Sequence, residues 1–361
     1  MAGLSDHTDA SGPAGNEPEY EVIGGVIDDQ PSGLARPMPG AGSPPRTAGN
    51  FGAAAAEAWR SARTSFTSWW FWLGCALGIA AAWGLAAAVV SFAEANGWFD
   101  TRVASAIYLI TAVFLALAAA VLGAVWGFRH SQGRLLVLLL AGGIRGVALG
   151  ALAGGVLLVV GASVGGPTAL AVAAVVVIIL EVALFGLIGA GARACFAAAA
   201  PGAALTALVV AFLCIGNVVA TILLLPGTTV MDQASVPVNV ERDDSGRIIA
   251  YECVGNLRPV EVVHTERVAW IAAANPALLF GSVGADVVPT DNELGWLLAG
   301  LQWAADGPSR EVPCLGGESS DGLAPSVPVF VTGLALQSLV AGLVLVPGRR
   351  LRARRLATGS G

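Results

Sequence analysis

Residues 264–283 read HTERVAWIAAANPALLFGSV, and whether this stretch crosses a membrane decides the topology of everything that follows it. It is apolar along most of its length, yet Asn275 and Pro276 fall in its middle. Proline has no N–H and pushes the residue before it out of the helical region, so the stretch predicts two short helical pieces. One span would need about 20 continuous apolar residues. The pieces are therefore expected to be re-entrant or to lie on the outer membrane surface. If they spanned, the arginine-rich C-terminal segment would be carried across, against the tendency of basic residues to stay on the cytoplasmic side.

The stretch belongs to a mostly polar interruption, residues 226–325, that is too long for a simple connector. Within it, residues 236–254 (VPVNVERDDSGRIIAYECV) predict two strands turning at Asp243, Asp244, Ser245 and Gly246. Residues 291–306 (DNELGWLLAGLQWAAD) predict a helix N-capped by Asp291, with Leu294, Leu297, Leu298 and Leu301 on one face. Trp296 and Trp303 suit a membrane interface.

Outside the interruption the chain is hydrophobic. Of 361 residues, 55% are hydrophobic and 12% charged, against about 25% charged in soluble domains. Stretches long enough to span lie near 69–93, 103–127, 146–164, 167–189, 203–225 and 327–346. The apolar run 135–144 either extends the third of these or lies at the interface. Residues 1–50 are rich in Gly, Pro, Ser and acid and predict a disordered cytoplasmic tail without a signal-peptide pattern. Residues 51–68 predict a short helix on the inner surface, with Phe51, Ala55 and Trp59 on an apolar face and Arg60 or Arg63 on a basic one. The expected fold is an all-α polytopic membrane protein of six transmembrane helices, with a small extracytoplasmic α+β loop domain between spans five and six. Its parts are the tail 1–50, spans one to five with the preceding helix in 51–225, the loop domain 226–325, span six in 326–348 and a basic cytoplasmic tail 349–361.

Charge sets the expected orientation. Arg60 and Arg63 precede span one, Arg129, Arg134 and Arg145 lie between spans two and three, Arg193 between four and five, and Arg349, Arg350, Arg352, Arg354 and Arg355 follow span six. Keeping these inside puts both termini in the cytoplasm and the long loop outside. All 19 basic residues are arginine, and Ala and Gly are abundant, which suggests a GC-rich bacterial gene and the bacterial plasma membrane. Cys253 and Cys314 would then face an oxidising compartment and are expected to form a disulfide, two free thiols being the alternative. A net charge of −6, with the acid concentrated in two segments, argues against nucleic acid as a partner. His7, His130 and His264 are scattered, so neither a metal cluster nor a cofactor site is expected.

Few residues offer chemistry. Glu181 is the only carboxylate within a span, where a charge costs at least about 2.5 to 3.5 kcal/mol. It is either part of a substrate or proton path, or a packing residue meeting Asn217, Thr221 or Gln337. Gly142, Gly146, Gly150 and Gly154 recur every four residues, a helix-packing signal whose functional form would be a sliding or dimerising face. The GASVG at 161–165 matches a nucleophile pattern at Ser163 but ends a Gly-rich span where no strand-to-helix elbow is expected. A phosphate-binding loop needs a lysine, and the chain has none. No enzyme is expected, and ATP-driven work would need a separate subunit.

Six spans, an inner helix before the first, a basic loop between the second and third and a large outer loop before the last together resemble the membrane subunit of ATP-binding-cassette exporters. The segment carrying Trp270, Asn275 and Pro276, flanked by Cys253 and Cys314, is similar to one in permease-like membrane proteins of high-GC Gram-positive bacteria. That resemblance implies a coupling helix within 128–145, with Arg129 and Arg134 near an ATPase subunit, a connecting helix around Trp59, and a homo- or heterodimer with a second permease. The competing expectation is a membrane scaffold or sensor whose outer loop binds a partner without transport.

Overall fold

The computed structural model describes residues 47–97, 103–242, 248–288, 293–308, 312, 314–317 and 327–358. Nearly all of the expected tail, the hairpin turn at 243–246, Asp291 and the side chain of Trp296 lie outside the described residues.

Six helical segments are long and apolar enough to cross a membrane. Helix α1 (Thr47–Phe66) precedes α2 (Trp69–Ala95), α3 (Val103–Arg129), α4 (Leu135–Val164) and α5 (Thr168–Cys195). The fifth span is composite: α6 (Ala199–Ala211), a π turn (Phe212–Gly216), α7 (Asn217–Leu224) and a closing 3₁₀ turn (Leu225–Thr228). A hairpin of β1 (Thr229–Arg242) and β2 (Ile248–Val263) follows, then α8 (Glu266–Ala273), α9 (Pro276–Val287), α10 (Glu293–Asp306) and the last span, α11 (Val329–Thr358).

Helix α5 is the axis of the bundle because its sequence is apolar on every side and small where neighbours cross. The glycines of α4 are its clearest contact. A Cβ on Gly142 would lie 3.0 Å from Ala183 Cα, and one on Gly146 2.9 Å from Ile179 Cα. Gly150 and Gly154 instead make room for the side chain of Val175. The four-residue glycine repeat is thus consumed by packing within the chain, and this face is not free to dimerise. Gly123 of α3 approaches the backbone at Val182, and Gly191 approaches Leu345 of α11. By contrast, α2 and the fifth span turn Trp70, Leu77, Trp83, Leu208, Ile215 and Leu223 outward, more than half exposed. Water would not tolerate so continuous an apolar surface, whereas acyl chains match it.

The structure settles one open alternative and corrects one expectation. The run 135–144 is part of α4, which starts at Leu135 and continues to Val164 without interruption. Arg145 accordingly lies inside that helix and not in a loop: it is 3% exposed, donating from Nε to Ser65 Oγ at 3.0 Å and from Nη2 to Ser61 O and Oγ at 3.2 Å. The same contact decides the face of α1, where Ala54 and Ala58 pack on Val137 and Ala141, while Phe51 and Trp59 point outward. Small residues spaced by four let α1 approach closely enough for its serines to receive the buried guanidinium. Finally, α11 runs through Pro347 to Thr358, so the basic segment 349–355 continues the last span as helix.

The hairpin extends beyond the predicted strands, from Thr229 paired with Val263 at its base to Arg242 paired with Ile248. Its register shifts around Ser235, whose N–H leaves the pair and reaches Cys314 O. Gly316 N donates to Gln233 O, so the segment 314–316 lies against β1 through an isolated antiparallel bridge between Leu315 and Ala234. The expected disulfide, Cys253–Cys314, ties this segment to β2 across a sequence separation of 61. An isolated two-stranded hairpin is marginally stable, and these two links supply what it lacks.

Candidate intramembrane site

The Asn-Pro break builds the centre. Pro276 occupies the first turn of α9 and Asn275 is held extended at φ −74°, ψ 127°, where its Oδ1 accepts from Ala277 N and Leu278 N. The cap and the proline turn α9 by 104° from α8. Both outer ends of the pair lie at one end of the bundle. Thr265 Oγ1 donates to Ala304 O just before α8, and Gly284 of α9 touches Leu170 in the first turn of α5. The break itself lies deeper, against the π turn of the fifth span. Asn217 is eleven residues from the end of that span at Thr228, a depth of roughly 16 Å at 1.5 Å per residue. The α8–α9 pair therefore turns back inside the bundle and does not lie flat on its outside.

Asn275 joins the break to the span. Its Nδ2 donates to Cys214 O at 2.8 Å, Leu213 O at 3.2 Å and Asn217 Oδ1 at 3.2 Å. A π turn widens the helix and exposes carbonyls sideways, which gives this amide its acceptors. Glu181 lies halfway along α5 and is fully buried. Its Oε1 accepts from Gln337 Nε2 at 2.9 Å, and the same nitrogen donates to Ala274 O at 3.1 Å. Gln337 on α11 thus bridges the buried carboxyl to the broken helix. The four polar side chains Glu181, Asn217, Asn275 and Gln337 are each at most 2% exposed. Three of their atoms, Glu181 Oε2, Gln337 Oε1 and Asn217 Nδ2, have no hydrogen-bond partner among the described residues. Buried polar atoms are nearly always paired, so three in one cluster mark it as unusual.

Of the expected partners of Glu181, Gln337 makes the contact, whereas Thr221 Oγ1 bonds within its own helix to Asn217 O. Asn275 and Pro276, part of the insert between spans five and six, are both buried. Trp270 is half exposed, its Nε1 donating to Arg267 O, and Trp303 is also half exposed. Arg129 ends α3 and Arg134 caps α4, leaving only residues 130–134 between them, with no helix of their own. Ser163 lies in the last turn of α4, where its Oγ donates to Val160 O, not on an elbow. Among the described residues no group of His, Cys, Asp and Glu is arranged to hold a metal.

A second polar cluster sits at the hairpin base, outside the membrane-spanning segments. His264 Nδ1 lies 2.6 Å from Glu266 Oε1 and Nε2 lies 2.9 Å from Asp232 Oδ2. A neutral imidazole has one N–H, so only the imidazolium donates to both carboxylates. The Glu266 and Asp232 contacts accordingly raise the pKa of His264 above its ordinary value. Sequence reading missed this cluster because Asp232 and His264 are brought together only by strand pairing.

Comparison with protein-family models, curated proteins and solved structures finds no match for this chain.

Proposed function

We propose that the chain is a multi-pass transport protein whose working centre is the Glu181–Gln337–Asn275 site, gated by the re-entrant α8–α9 pair. The observation that carries this reading is a buried carboxyl linked, through one glutamine, to the backbone carbonyl of Ala274 at the break of a helix. Ionisable groups in membrane interiors mark ion and proton paths, and broken helices there bring backbone groups to a binding site. In this scheme Glu181 holds a proton while the bundle is closed and gives it up when movement of the pair admits water.

The orientation is part of the same proposal. The arginines of α3, α5 and α11 gather at one end and the disulfide lies at the other, which supports cytoplasmic termini, an extracytoplasmic hairpin and the bacterial plasma membrane. The six-span layout with its large insert before the last span supports the narrower form, a permease subunit of an ATP-driven exporter. That form requires a separate ATPase and a second permease, whose co-purification would test it. A scaffold or sensor remains the competing form, favoured by the exposed Val236, Val238, Val254 and Leu257 on the hairpin.

Glu181→Gln tests the centre. In sealed vesicles carrying an internal pH dye, wild-type protein should dissipate an imposed proton gradient and the near-isosteric variant should not, with matching thermal stability. Equal dissipation by both would remove the proton-handling role.

A further inference from the structure

We infer that the arginine-rich end of the bundle holds the phosphodiester headgroup of an anionic phospholipid. This inference does not rest on the transport reading. Two adjoining hollows of ≈ 400 and ≈ 210 Å3 open there between the α3–α4 turn, the end of α5 and the last turns of α11. Arg349 and Arg352 line the larger one, and Arg193, Arg352 and Arg355 the smaller, so Arg352 stands at their junction.

These arginines are anchored by the backbone and leave donors over. Arg352 Nη1 donates to Ser131 O and Arg349 Nη2 to Gly133 O, each at 3.2 Å. Arg355 Nη2 donates to Ala194 O and Cys195 O at 2.7 Å, where the carbonyls of the α5 terminus favour a cation. Arg193 Nη1 reaches Phe196 O at 3.0 Å. A guanidinium has five N–H donors, so each of these keeps more than half its fork unspent. Among the described residues no carboxylate lines either hollow and no ion pair involves the four arginines. Planar forks held in place without a counterion match phosphate geometry.

The remaining wall distinguishes a lipid from a soluble phosphate. Leu138, Ala190, Leu345, Ala353 and Leu356 form an apolar side to the larger hollow, and Leu356 is 69% exposed. A site that is basic at its rim and apolar along one wall fits a headgroup with the start of an acyl chain. Basic pockets between spans are where anionic headgroups bind.

The test uses the full-length protein in mild detergent, exchanged against equal amounts of phosphatidylglycerol and phosphatidylcholine, with retained lipid counted by native mass spectrometry. The expected result is one retained phosphatidylglycerol per chain, and a loss of retention on the order of tenfold or more in Arg352→Gln, the size of a lost charged hydrogen bond. Arg352→Gln also removes the contact to Ser131, so Ala353→Trp, which fills the apolar wall and keeps every arginine, provides the second arm. It should lose the lipid while remaining folded by circular dichroism. Equal retention of both lipids would overturn the inference, as would retention unchanged in both variants. Displacement by inorganic phosphate at the lipid's own concentration would assign the site to a soluble anion and overturn the lipid.

Discussion

Replacing Asn275 by alanine tests whether one side chain holds the re-entrant pair in the bundle. The amide has two functions: Oδ1 caps α9, and Nδ2 donates to the π turn and to Asn217. Losing an N-cap costs about 1 kcal/mol. Two donor hydrogens buried in a membrane protein add about 0.6 kcal/mol each on the average of measured cycles. Asn275→Ala should therefore lower stability by about 2 kcal/mol, roughly a 30-fold shift in the unfolding equilibrium. The assay is reversible unfolding in mixed micelles with increasing sodium dodecyl sulfate, followed by tryptophan fluorescence. A double-mutant cycle with Asn217→Ala isolates the amide–amide contact and should give a coupling of about 0.6 kcal/mol. Asn275→Asp separates the two functions. It keeps the cap acceptor but turns a carboxyl toward the carbonyls of Leu213 and Cys214, so it should be no more stable than the alanine variant. An aspartate variant close to wild type would mean that the cap alone matters and that the link to the fifth span contributes nothing.

At the hairpin base the sign of the pH dependence follows from His264. Its folded pKa is raised by Glu266 and Asp232, so the clamp is complete below the unfolded value of about 6.5 and is lost as pH rises through the folded value. The Tm difference between wild type and His264→Gln should be widest at acid pH and close in alkali; a constant gap would count against the bridged imidazolium. On α4, Gly146→Ala places a Cβ 2.9 Å from Ile179 Cα and should destabilise by about 1 to 3 kcal/mol through overpacking. Gly143→Ala, on the open side of the same helix, should be neutral or slightly stabilising by helix propensity. Matching unfolding midpoints for these two variants would contradict the close α4–α5 crossing.

Much of the architecture was legible because it depends on local composition. Apolar length marks spans, and the positions of all six could be read before any contact was known. The break at Asn275 and Pro276 was legible for the same reason, since proline acts on its own neighbours. The start of α4 was not, because Arg145 looks like the end of an inner loop. Only the serines of α1, eighty residues earlier, make its burial tolerable. The candidate site was half legible. Glu181 stands out in an apolar span, but nothing local connects it to Gln337, which lies 156 residues away, or identifies Asn275 as a buried donor. Asn275 read as an outer-loop residue because its depth depends on how the re-entrant pair docks.

By itself the sequence determined that this is a polytopic helical membrane protein, where the chain breaks, which end is basic and which two cysteines were candidates to pair. These follow from hydropathy, proline stereochemistry and charge, each acting over a few residues. Only the tertiary structure decided that α5 is the axis, that the glycine repeat is spent within the chain, and that the broken helix dips inward to meet Glu181 through Gln337. Those outcomes depend on which small residues face one another across helices, and a one-dimensional pattern does not contain that pairing.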